Sequence, residues 1–236
     1  MLRLKRVVRF RLVSLLIFTA FVAIWVAATI RPLRYLADAQ RLRDLGGRVA
    51  NRGTDLGITG VPYLVFCRLT GRHTELPCIL TLDEQCPESA PALRIAGRIP
   101  TFAAIDLTRS DVDDESFAFL KPLRDVQDIR VQGRPLTNSS MLIVRRWNGL
   151  RSASFHGTEI DDAGVAHLAG CEQLTELSLR STRLTDRSVE TLVSLKQLER
   201  LDVTNCRLSR KAIKQLTEAL PKCKVETRDP WHVEAE

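Results

Sequence analysis

The side chains able to do chemistry are few, and their spacing narrows what that chemistry is. The 236 residues hold six cysteines and four histidines. The densest grouping is Cys67, His73, Cys78 and Cys86. Structural zinc sites draw on cysteines set two to four residues apart. No CxxC pair stands here, so neither a metal nor another cofactor is expected. In an oxidising compartment Cys78 and Cys86 are the pair expected to form a disulfide; in a reducing one both stay thiols. His156 has Asp106, Asp128 and Asp202 on comparable strand positions. Neighbouring strands lie about 4.8 Å apart, whereas a base must come within about 3 Å of its partner. No phosphate-cradling glycine loop, nucleophile elbow or metal-binding helix is present. The chain is therefore not expected to be an enzyme.

Charge is distributed unevenly. The formal net charge is +7, yet residues 1–48 alone hold ten Lys/Arg against Asp38 and Asp44. The rest of the chain is close to balance, with 25 basic against 26 acidic groups, so no nucleic-acid partner is expected of it. The basic excess brackets "LVSLLIFTAFVAIWVAATI", residues 12–30, which contains no charge. As a helix that run spans about 28 Å, close to the hydrocarbon thickness of a bilayer. It reads as an uncleaved signal-anchor behind a basic tail, residues 1–11. The rival reading is a signal peptide cleaved near "VAA" at 26–28. Arginines follow the run as well as precede it, and the denser charge of the short tail favours an exported C-terminal domain.

What positions the candidate residues is a repeat. From Leu174, apolar residues stand at offsets 0, 3, 5, 10, 15 and 18: Leu174, Leu177, Leu179, Leu184, Val189 and Leu192. A step of 24 gives equivalent apolar sets starting at Phe102, Val126, Leu150 and Leu198, without insertion. Offsets 3 and 5 alternate as in a strand with one buried face, and offsets 15 and 18 share one helical stripe. Between them offset 11 is always a capping type: Asp113, Thr137, Asp161, Thr185 and Ser209. Each unit thus reads as strand, turn, capped helix and return, able to bury its stripe only against a neighbour.

The stretches "LTELSLRSTRLTD", "LRSASFHGTEIDD" and "LERLDVTNCRLS" resemble the ribonuclease-inhibitor-like leucine-rich repeat, over residues 102–227. The resemblance implies an α/β solenoid with parallel strands on the concave face and helices on the convex face. It also implies a turn residue at offset 8 bonding backbone: Ser110, Thr158, Thr182 and Cys206, with Arg134 departing from the pattern. One N-terminal membrane helix ahead of a short array is similar to the layout of bacterial membrane-anchored repeat proteins. "LRDLGGRV" at 42–49 looks like the segment preceding their arrays.

Outside the repeats, residues 31–45 show helical spacing and end at Gly46-Gly47. Residues 46–101 are expected to cap the first unit, with a strand near "RVANRG". Pro77, Pro87, Pro91 and Pro100 make 76–101 look loop-rich. Residues 228–236 form a polar tail. If the chain binds anything, the strand face at offsets 2, 4 and 6 is the surface to do it. Its candidate residues are Asp128, Arg130, His156, Glu176, Ser178, Arg180, Arg200 and Asp202. The expected function is a membrane-tethered module for a protein partner. The alternatives are an envelope spacer without a ligand and, last, an enzyme with its site in 46–101.

Overall fold

The computed structural model describes residues 37–51, 54–55, 78–82, 89–99, 102–108, 110–133 and 136–227. The apolar run 12–30, the tail 228–236, Arg134, Cys67, His73 and Cys86 lie outside them. No helix among the described residues is long and apolar enough to cross a membrane.

Among the described residues, nine strands form one sheet in the order β2-β1-β3-β4-β5-β6-β7-β8-β9. They are β1 (Arg48–Asn51), β2 (Thr54–Asp55), β3 (Cys78–Thr81), β4 (Phe102–Leu107), β5 (Asp128–Gln132), β6 (Ser152–His156), β7 (Glu176–Ser178), β8 (Arg200–Asp202) and β9 (Lys224–Glu226). From β3 to β9 every neighbour is parallel, and helices alternate with the strands. This is an α/β fold of the leucine-rich-repeat kind. β1 pairs antiparallel with both β2 and β3, so a hairpin closes the N-terminal end of the sheet. Residues 37–44 form a helix whose end is a glycine cap. Gly46 takes φ 87°, and the N–H of Gly47 reaches back to the Leu42 carbonyl. That left-handed turn costs a glycine nothing.

The repeat rows are the core. All thirty repeat positions are buried except Leu208 and Ile213, both in the last unit where no further unit stacks on them. A seventh row, at offset 21, lies in the return loops: Ile99, Leu123, Trp147, Cys171 and Leu195, all buried. All five expected caps are made. Asp113, Thr137, Asp161, Thr185 and Ser209 accept from backbone N–H groups two or three residues on.

The proline-rich stretch is more ordered than its composition suggests, because Ser89–Ala96 is a helix. Pro91 falls in its first turn, where a missing N–H breaks no helical bond. Leu93, Ala96 and Ile99 stand one repeat length before Phe117, Leu120 and Leu123 and are buried likewise. Together with β3 they make a further unit ahead of Phe102.

One turn position recurs with left-handed backbone: Gly133 (φ 89°), Gly157 (φ 69°), Ser181 (φ 56°) and Asn205 (φ 58°). At 133, 157 and 181 the N–H donates to a carbonyl of the following unit: His156, Arg180 and Thr204. Ser181 keeps this geometry against the clash of its Cβ, which costs roughly 1–2 kcal/mol. Ser181→Gly is therefore expected to stabilise the fold by about 0.5 kcal/mol, net of the hydrogen bond its hydroxyl accepts from Asn205. A lower midpoint in urea unfolding would refute that.

Candidate binding face

Register fixes the face. Parallel pairing without slippage from β4 onward places one row at Ala104, Asp128, Ser152, Glu176, Arg200 and Lys224. A second row holds Asp106, Arg130, Ser154, Ser178, Asp202 and Glu226. Gln132 and His156 begin a third. Side chains alternate along each strand, so these residues stand opposite the buried rows. Arg130, Glu176, Arg180 and Arg200 are exposed, and Asp128, His156, Ser178 and Asp202 are half-buried. The structure thus brings seven of the eight strand-face candidates into rows on one side, and exposed Arg180 follows two residues past the end of β7.

Their charges are largely matched within the chain. Arg130 approaches Asp128 at 3.4 Å and Arg200 approaches Glu176 at 3.7 Å. The Arg200–Glu176 pair is 71% and 49% exposed, and pairs that open to water contribute little to stability. Burial lifts the Asp128 carboxyl above its usual range; Arg130 counters this, while Asp106 and Glu176 add to it. Asp202 is engaged locally: its carboxylate accepts from the Thr204 N–H at 2.9 Å and from the Ser178 hydroxyl at 3.4 Å. Asp106 does the same with the N–H and hydroxyl of Thr108. Arg180 alone of the three face arginines has no described carboxylate within ion-pair distance.

The other candidate chemistry resolves differently. His156 faces Gln132 across the sheet, and no three described His, Cys, Asp or Glu side chains gather as a metal site. Cys78 begins β3, whereas its expected disulfide partner Cys86 lies outside the described residues. Cys171, Cys206 and Cys223 are free thiols. Burial pushes Cys171 up to about 11 and also raises Cys206 and Cys223, so none offers a thiolate at neutral pH. Cys206 serves the turn, with its sulfur 3.0 Å from the Leu179 carbonyl oxygen. Thr158 and Thr182 serve the equivalent turns, their hydroxyls donating to the Phe155 and Leu179 carbonyls.

Sequence alone does not single out the opposite edge of the stack, where helices end and chains return to the sheet. A hollow of about 510 Å³ lies there, lined by Arg94, Gly97, Arg98, Ala118, Phe119, Lys121, Pro122, Arg124 and Arg146. The signal was a cluster of basic residues in the return segments of the first units, hidden by a near-zero average charge.

No family model matches the chain, and no curated protein matches it. Solved structures do. A leucine-rich-repeat protein from Leptospira interrogans is 16% identical with a TM-score of 0.40, over 56% of this chain and 33% of that one. Internalin C2 from Listeria monocytogenes is 18% identical with a TM-score of 0.48, over 64% of this chain and 61% of that one. A second internalin from the same organism is 15% identical with a TM-score of 0.41, over 58% and 46%. The chain therefore covers less than two thirds of the length of each of these structures.

Proposed function

We propose that the chain is a non-catalytic protein-interaction module of the ribonuclease-inhibitor-like repeat type. In this reading it is tethered to a membrane through residues 12–30, with its repeats on the extracytoplasmic side. The observation that carries the binding role is the strand face: consecutive parallel strands hold polar side chains in registered rows with no described segment folded over them. Arg180 is its distinctive member, a cation not already matched by a described acid. The face lacks the Trp or Tyr anchors that dominate tight interfaces, so its contacts are steered by charge and sensitive to salt.

A photo-crosslinking side chain at Ser178 should give one discrete adduct in native membranes, and one at exposed Lys214 on the helix side should not. Reversing both Arg180 and Arg200 to glutamate should weaken formation of that adduct at least tenfold, with circular dichroism unchanged. An adduct untouched by the double reversal rejects this face. A diffuse smear from both positions supports the second reading, a spacer without a ligand. The internal Arg130–Asp128 and Arg200–Glu176 pairs favour that alternative, since they leave little unmatched charge. Protease accessibility in sealed vesicles tests the orientation.

A further inference from the structure

From the return-loop edge we infer a second site, distinct from the strand face: a pocket for a phosphoryl-bearing polyanion. Three successive units build it. Arg94 comes from the last turn of the helix Ser89–Ala96 and Arg98 from the turn beyond it. Lys121 and Arg124 come from the return after the 3-10 turn Ala118–Leu120, and Arg146 from the turn just past the helix Asn138–Val144. All five line one hollow of about 510 Å³, and no described acid lines it. The hollow is shallow and largely open to solvent, so it suits a charged group held at the surface rather than an enclosed ligand.

The hollow is built, not an accident of loose side chains. Gly97 sits where any Cβ would run into the Phe119 carbonyl, so only glycine lets the turn after the helix Ser89–Ala96 approach the 3-10 turn Ala118–Leu120 so closely. The Arg94 guanidinium stands 5.8 Å from the centroid of the Phe119 ring, a cation–π contact that positions the group without neutralising it. None of the five cations is a member of the ion pairs formed between described residues at Asp38, Asp128, Glu159, Glu176, Glu218 and Glu226. Asp125 lines the adjoining hollow of about 370 Å³, which shares Arg124 and Arg146.

Helix ends supply the competing explanation. Cations are favoured at C-termini, and three short helices finish on this edge. Each contributes roughly half a negative charge at most, against five full positive ones, so the surplus stays positive. Four guanidiniums around one hollow match phosphoryl oxygens, which they bind through paired N–H donors. The patch is confined to one pocket, and later units offer Glu172 and Lys196 at corresponding places, so it lacks the long basic stripe that a nucleic acid needs. The phosphoryl group could belong to a soluble metabolite or to a lipid headgroup.

The test uses the full chain in lipid nanodiscs, titrated calorimetrically with inorganic tripolyphosphate at low ionic strength. In neutral discs, one-to-one saturable binding is expected. Arg98→Gln/Arg124→Gln should weaken it at least tenfold, and Lys196→Gln/Lys222→Gln should leave it unchanged. If discs containing phosphatidic acid suppress tripolyphosphate binding, and the Arg98/Arg124 pair of substitutions removes their own retention of the domain, the natural source is a headgroup. If binding is equal in both discs, the source is soluble. Absent or unsaturable binding in neutral discs overturns the site, as does an equal loss in the Lys196/Lys222 control.

Discussion

Trp147→Ala is expected to lower the unfolding free energy by about 3–5 kcal/mol, the range for emptying a fully buried large aromatic. The indole is wholly buried in the offset-21 row between Leu123 and Cys171. Its ring centroid lies 6.1 Å from that of Phe117, and its Nε1–H donates to the Leu123 carbonyl at 3.0 Å. Alanine removes the ring, the aromatic contact and the donor, and leaves that carbonyl facing a cavity. In a stack each unit touches only its neighbours, so no distant packing compensates for a void at the 102–125/126–149 junction. The consequence extends beyond the midpoint: the units on either side should unfold in separate steps, visible as a broadened or biphasic urea transition. Trp147→Phe keeps most of the volume, loses the hydrogen bond, and should cost about 1–2 kcal/mol with one transition. A single sharp transition for Trp147→Ala, shifted by less than about 1 kcal/mol, would contradict this account.

The position of Trp147 shows where the sequence was legible and where it was not. Rows of leucine-like residues at offsets 0 to 18 could be read because burial demands the same type in every unit. Offset 21 carries Leu123, Trp147, Cys171 and Leu195, apolar in each of these units like the other rows, but it lies in the return where neither strand alternation nor the helix stripe points to it. The unit ahead of Phe102 was missed for a different reason. Its helix residues Leu93 and Ala96 keep the repeat frame, but its strand is out of step by a single position. Leu80 pairs with Ile105, just beyond a full repeat length, and the pairing absorbs the difference in an irregularity between Cys78 and Ile79. Stepping back by one repeat from Ile105 therefore lands on Thr81, where Leu80 is the buried residue. A helix inside proline-rich sequence was hidden because only the position of Pro91 within the first turn makes it tolerable.

The two candidate surfaces differed in legibility in the same way. Strand-face residues follow from alternation, so Arg130, Arg180 and Arg200 could be placed together, though not their partners. Pairing depends on whether an acid sits two residues away along a strand, as with Asp128, or across to the next, as with Glu176. The return-loop cations come from three helices' ends at unequal offsets. Only the fold assembles them, which is why a folded part with no net basic charge still presents a basic hollow that no described acid lines.

A last regularity joins the units side by side, and it yields the other large effect expected of a single substitution. The residue after each cap reaches to the next unit's cap. Asp114 accepts from the N–H and hydroxyl of Thr137 at 3.0 and 2.5 Å. Asp162 does the same for Thr185, at 2.9 and 2.5 Å, and Asp186 for Ser209, at 2.7 and 2.7 Å. In the fourth place the receiving cap is itself an acid, Asp161, and there the reaching residue is Asn138. Its Nδ2 donates to Asp161 Oδ1 at 2.7 Å while its Oδ1 accepts the Asp161 N–H at 3.1 Å. An amide donates to the carboxylate while accepting the backbone N–H, which an ionised carboxylate at 138 could not do. Burial works to raise the Asp161 carboxyl, but the Asn138 amide, the N–H groups of Ala163 and Gly164, and Arg183 outweigh it and hold it below the usual range. A depressed carboxyl contributes stability above its unfolded pKa and loses it as pH falls through the folded one, so the native junction should weaken only in acid.

Asn138→Asp reverses that logic. At neutral pH two carboxylates would face each other at hydrogen-bond distance in a tight site, since Gly164 is already so close that a Cβ would strike Asn138 Oδ1. Loss of a charge-assisted bond together with like-charge repulsion should cost about 2–4 kcal/mol. Acidification toward about pH 4 should shrink the deficit, because one protonated carboxyl can donate as the amide did. The wild type should hold nearly all of its stability over that interval, because the Asp161 carboxyl lies below the usual range, so the two unfolding curves converge through recovery of the variant. Asn138→Ala separates the terms: it drops the bonds without adding charge, and its deficit should be smaller at neutral pH and should not narrow in the same way. A gap between Asn138→Asp and wild type that stays constant from pH 7 to pH 4 would show that repulsion between carboxylates is not what the asparagine prevents.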